Sequence, residues 1–78
     1  MNVRNDAYKR LCGMLIEART NANLTQAELS VRLKRPQSFV SKYERKERRL
    51  DLVEFGEVAR AIGVDPTAFL RRFYEGES

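Results

Sequence analysis

Residues 26–45 read QAELSVRLKRPQSFVSKYER. In the first eight, Gln26 to Leu33, Leu29 and Leu33 lie four apart on one face, the spacing of a short amphipathic helix. Lys34-Arg35-Pro36 breaks it, because proline lacks an N–H and disfavours helical geometry in the residue before it. From about Pro36 to Arg45 a second short helix turns Val40 and Tyr43 inward. Gln37, Ser38, Ser41 and Lys42 are left on the opposite face. Ser30 is small where the second helix crosses close over the first. Phe39 belongs either to the core or to the outer face.

The flanks repeat one local code. Thr25 followed by Glu28 makes a capping box, with Leu24 and Leu29 as the hydrophobic staple. Asp51 and Glu54, with Leu50 and Phe55, repeat it. Asp65 caps a further helix whose first position is Pro66, with Val64 and Phe69 as its staple. Gly63 and Asn23 stand where left-handed residues end helices. The spacing predicts five helices: Asp6 to Ala22, Gln26 to Leu33, Pro36 to Arg45, Leu52 to Ile62, and Pro66 to Glu75. Tyr8, Leu11, Leu15 and Ala18 line the inner face of the first; Phe55, Ala59 and Ile62 that of the fourth. No segment alternates with a period of two residues, so the fold class is all-α. The chain reads as one domain over residues 1–78, with its core at about 6–75 and the first few and last three residues frayed.

A chain of 78 residues buries roughly 60% of the surface its unfolded form exposes, so it folds with little margin. Hydrophobic residues make up 42% and charged residues 33%, which suits a globular domain. No apolar run is long enough to span a bilayer, and no signal segment opens the chain. With one cysteine no internal disulfide is possible, and the expected location is cytoplasmic. There is no histidine, no glycine-rich phosphate loop and no cluster of metal ligands, so neither an enzyme nor a metal or cofactor site is expected. Cys12, mid-helix among apolar residues, reads as a buried, inert thiol.

Charge is unevenly placed. Between Lys34 and Arg49 seven Lys/Arg face two Glu, whereas between Leu50 and Ser78 three Arg face six Asp/Glu. A basic patch confined to one element suits a polyanion. Two short helices joined by a tight turn form a helix-turn-helix, whose second helix enters the DNA major groove. The outer-face side chains fit base edges: Gln pairs with adenine N6/N7, Ser donates or accepts, and Lys suits guanine O6/N7. The loop Lys46-Glu47-Arg48-Arg49 would run along the phosphates, and one of its two arginines could instead probe a narrow minor groove.

The stretches Leu24-Thr25-Gln26-Ala27-Glu28-Leu29 and Gln37-Ser38-Phe39-Val40-Ser41-Lys42-Tyr43-Glu44, followed by Leu50, resemble the phage-repressor/Cro-type (XRE) helix-turn-helix family. The resemblance spans about Leu11 to Phe69. It implies a compact five-helix, lambda-repressor-like domain binding double-stranded operator DNA as a two-fold homodimer. By position it makes Gln37, Ser38 and Lys42 base readers, with Ser41 on the same face. Gln26 would bond a phosphate and brace Gln37. Arg35, Lys46, Arg48 and Arg49 would contact the backbone, and Arg19 would pair with Glu44. The chain departs from the family where Lys34 and Lys46 replace common glycines. It departs again at Pro36, which replaces a small capping residue and is expected at the first helical position.

The last helix carries two apolar pairs, Phe69 with Phe73 and Leu70 with Tyr74. Either one completes the core and the other is left for a dimer contact, with Leu70, Phe73 and Tyr74 as the candidates, or both faces pack internally against the first helix. Two functions follow. One is a stand-alone repressor or controller on a palindromic operator. The other is an antitoxin-type module that neutralises a partner protein and regulates its own promoter.

Overall fold

The computed structural model describes residues 3–76; residues 1, 2, 77 and 78, part of the ends read as frayed, lie outside them. Five helices follow in order: α1 (Val3–Asn21), α2 (Gln26–Leu33), α3 (Gln37–Glu44), α4 (Leu52–Ile62) and α5 (Pro66–Glu75). No strand occurs among the described residues. The first helix begins before the expected Asp6 and ends at Asn21 rather than Ala22.

Each predicted cap forms. The Thr25 hydroxyl accepts from the Glu28 N–H at 3.0 Å, and the Glu28 carboxylate accepts from the Thr25 N–H at 2.9 Å. These bonds hold the Glu28 carboxyl below its ordinary range. Asp51 and Glu54 exchange the same pair of bonds at 2.7 and 3.0 Å. The Asp65 carboxylate accepts from the Ala68 N–H at 2.9 Å. Each satisfies N–H groups that the first helical turn cannot pair internally.

The helix stops are less ordinary. Asn23, Lys34 and Lys46 all take positive φ, at 60°, 57° and 64°. In Lys34 this left-handed geometry closes α2 with its N–H on the carbonyls of Ser30 and Val31. The turn therefore keeps the geometry a glycine would give, at a cost of about 1–2 kcal/mol for a residue with a Cβ. Pro36 corrects one expectation. It is the N-cap of α3, with extended backbone (φ −60°, ψ 150°) and no capping side chain, and the helix starts at Gln37.

The core gathers Leu15 from α1, Leu29 from α2, Phe39, Val40 and Tyr43 from α3, Phe55, Val58, Ala59 and Ile62 from α4, and Phe69 from α5. Phe39 thus resolves to the core, edge-on to Tyr43 at 5.8 Å between ring centroids. Of the last helix's pairs, Phe69 and Phe73 are buried, while Leu70 is half-buried and Tyr74 is 64% exposed. Cys12 is buried, and its thiol lies 3.5 Å from the Tyr43 carbonyl oxygen. Burial raises the thiol's pKa, as befits an unreactive sulfur.

Tyr43 is fully buried, and its hydroxyl has no partner among the described residues. Burial pushes its pKa upward, with the Glu44 carboxylate adding to the shift. A buried hydroxyl left unpaired carries its full desolvation cost, about 1–3 kcal/mol. Tyr43→Phe removes that group and keeps the ring. Thermal or urea unfolding is expected to show the variant at least as stable as the parent, with a gain of about 1 kcal/mol.

Candidate nucleic-acid interface

Packing decides which face of α3 stays outside. With Phe39, Val40 and Tyr43 turned inward, Gln37, Ser38 and Lys42 are exposed together on the opposite side. Ser41 is half-buried, and its hydroxyl donates to the Ser38 carbonyl at 3.3 Å. The outer face is polar, with one cation and no carboxylate. Helix α2 packs against α3 and braces it. Ser30 sits between them, buried, with its hydroxyl donating to the Ala27 carbonyl at 2.6 Å.

Glu44, at the last turn of α3, is only 6% exposed and binds three groups. Arg19 donates to it through Nε at 2.7 Å and Nη2 at 3.1 Å, a bidentate pair. Gln26 Nε2 adds a bond at 2.8 Å. Arg19 Nη1 also donates to the Leu24 carbonyl at 2.8 Å. One carboxylate thus ties the end of α1, the start of α2 and the end of α3. The Glu44 contacts raise the pKa of Arg19 above its ordinary value, against the desolvation that burial imposes.

The loop after α3 carries the cations. Lys46 and Arg49 are exposed. Arg49 lies over the Tyr8 ring, 4.4 Å from its centroid. The Tyr8 hydroxyl accepts from the Leu50 N–H at 3.1 Å and so fixes the loop's far end to α1. Arg35 is half-buried, 4.5 Å from the Phe39 ring centroid and 3.7 Å from Glu57.

A five-helix array with this braced outer face has known counterparts. A family model for helix-turn-helix proteins matches residues 15–69. The chain belongs to the XRE-type helix-turn-helix family. A solved structure, an XRE-family like protein from Pseudomonas syringae pv. tomato str. DC3000, is similar to it at 49% identity and a TM-score of 0.94. That match covers 97% of this chain and 93% of the other. No curated protein matches.

Within this XRE-type frame, three expected residues have partners that the sequence did not foresee. Gln26 braces Glu44 rather than Gln37, because the buried carboxylate is the stronger acceptor. Arg48, expected on the DNA backbone, is paired within the domain while its side chain stays 41% exposed. It makes a bidentate pair with Glu54 at 3.0 and 2.7 Å and lies 4.8 Å from the Phe39 ring centroid. Phe73, expected at a dimer contact, is buried beneath the Arg10 guanidinium, which lies 4.4 Å from its ring centroid and also donates to its carbonyl. Sequence reading missed Tyr8 as the anchor of the loop, and Arg10 as the link from α1 to α5. Neither has a local signature, since each partner lies more than forty residues away. Among the described residues no group of His, Cys, Asp or Glu could hold a metal, and no helix is long and apolar enough to cross a membrane.

Arg19→Ala leaves the Glu44 carboxylate buried beside Gln26 alone. Removing one partner of such a pair costs about 3–5 kcal/mol, so the variant is expected to unfold at much lower urea concentration than the parent. A loss below about 1 kcal/mol would place the pair in the class of weak surface bridges.

The Arg48 guanidinium and the Asp51 N–H hold the Glu54 carboxyl down at about 2, against an ordinary 4.5. A depressed carboxyl stabilises the fold above its unfolded pKa and loses that contribution as pH falls through the folded one. The window here runs from about pH 4.5 down to about 2. Glu54→Gln should flatten the acid dependence of Tm across that window. An unchanged acid limb would show that the pair does not persist in solution.

Proposed function

We propose that this chain is a sequence-specific transcriptional regulator that binds a palindromic operator as a homodimer. The observation that carries the reading is the outer face of α3. Gln37, Ser38 and Lys42 stand exposed on a helix whose inner side and C-terminal end are locked to the rest of the fold. Rigid placement matters, because base-edge recognition needs donors and acceptors at fixed positions in the major groove. Ser41, half-buried on the same face, is the nearest backup reader. Gln26, Arg35, Lys46 and Arg49 border this face and supply backbone contacts. Arg48, 41% exposed beside Glu54, adds a further backbone contact and shapes the loop.

The dimer reading rests on exposed apolar surface. Tyr74 is 64% exposed, and Leu52 and Val53 at the start of α4 are 75% and 73% exposed. Leu70 shares a groove with Leu52 and Val53. Unpartnered apolar surface of this kind marks interfaces. Dimers of this motif hold their reading helices about 34 Å apart, one DNA turn. The same surface would serve a protein partner under the antitoxin reading, which no particular residue favours.

Selection of bound sites from random duplex DNA tests both parts. A consensus with two inverted half-sites is expected, and Gln37→Ala should relax preference at one position in each half while α3 stays folded. A single half-site would remove the homodimer. No enrichment at all would shift weight to the protein-interaction reading.

A further inference from the structure

A cavity of about 320 Å³ opens between α1 and the loop after α3, lined by Asp6, Tyr8, Lys9, Lys46 and Arg49. Three of the five described lining side chains are cations, with one carboxylate opposing them. Its walls are built by contacts already described: Tyr8 accepts from the Leu50 N–H, and Arg49 lies over the Tyr8 ring. Lys46 borders the cavity from its left-handed position just past α3. Elsewhere in the domain four arginines are matched to carboxylates: Arg19 to Glu44, Arg35 to Glu57, Arg45 to Glu47 and Arg48 to Glu54. Among the described residues neither Lys9 nor Lys46 is held in such a pair.

Cations gathered around a concave site with an aromatic wall focus potential and favour an anion over bulk water. Lysine ammonium groups serve phosphate as point charges. The position narrows the ligand. Lys46 lies four residues past Lys42 of the reading face, just beyond the end of α3 at Glu44. The cavity therefore opens at the C-terminal end of that face, where a helix in the major groove is flanked by backbone.

We propose that this cavity is an anion seat for a phosphate group, and that in the DNA complex it takes a backbone phosphate flanking the segment read by α3. Lys9 then extends the contact surface from the helix-turn-helix onto α1. The choice of DNA as the source rests on the function proposed above; the seat itself does not. A free phosphorylated small molecule offers the same group.

Lys9 is exposed, so Lys9→Ala should fold, and an unchanged Tm checks that. Two measurements test the seat. In the first, affinity for mixed-sequence duplex is followed from about 50 to 200 mM salt, where each lost phosphate contact removes about one unit of the log–log slope. Lys9→Ala is expected to flatten the slope by about one unit and weaken all sequences alike, whereas Gln37→Ala keeps the parent slope. In the second, inorganic phosphate is titrated into the free protein while the amide resonances of Tyr8 and Leu50 are followed. Saturable shifts in the parent, lost in Lys9→Ala, are expected.

A flattened slope assigns the seat to DNA phosphate. An unchanged slope with Lys9-dependent saturation by phosphate assigns it to a free phosphorylated molecule. An unchanged slope without that saturation overturns the proposal. If the parent bound no DNA, the functional reading would fail separately, and the phosphate titration alone would decide the seat.

Discussion

The carboxylate of Glu44 organises the domain. It is buried, and a buried charge is tolerated only when paired and hydrogen-bonded. Here Arg19 and Gln26 meet that demand together. The three side chains come from the end of α1, the first position of α2 and the last turn of α3. None can relax independently without exposing the others. The angle of α3 to the rest of the fold, and so the direction its outer face looks, follows from this junction and from the apolar packing of Phe39, Val40 and Tyr43. Its polar geometry makes the arrangement directional in a way that apolar contacts alone are not.

The same logic governs the basic loop. Seven cations crowd residues 34–49, and left unpaired they would repel one another. Arg48 is neutralised by Glu54, whose carboxylate also completes the cap of α4. One side chain therefore joins helix initiation to loop position. Arg49 is placed by stacking on Tyr8, and Lys46 by the backbone turn at its own residue. The positive charge left uncompensated at the surface is a selected part of what the composition contains.

Much of this was legible in the chain. The caps at Thr25, Asp51 and Asp65, the left-handed positions at Asn23 and Gly63, and the inward face of α3 are local patterns, and each appears where the spacing placed it. The pairing of Arg19 with Glu44 came from family resemblance and is present. What was not legible is competition for partners. Arg48, Arg49 and Lys46 look alike in a row, yet one pairs with a carboxylate, one stacks on an aromatic ring, and one borders a cavity. Phe73 and Tyr74 are adjacent and both aromatic, yet only Tyr74 is exposed.

The sequence by itself determined the helix boundaries to within a few residues, the all-α class and the polar face of the second helix of the motif. Those properties arise from interactions spanning three or four positions, which are written in the order of residues. Tertiary structure alone decided which cation is paired with a carboxylate, which aromatic joins the core, and that Gln26 serves Glu44 rather than Gln37. These outcomes depend on groups up to 63 residues apart, as between Arg10 and Phe73. Until the chain packs, each such group has several acceptable partners, and only the folded geometry brings one of them within reach.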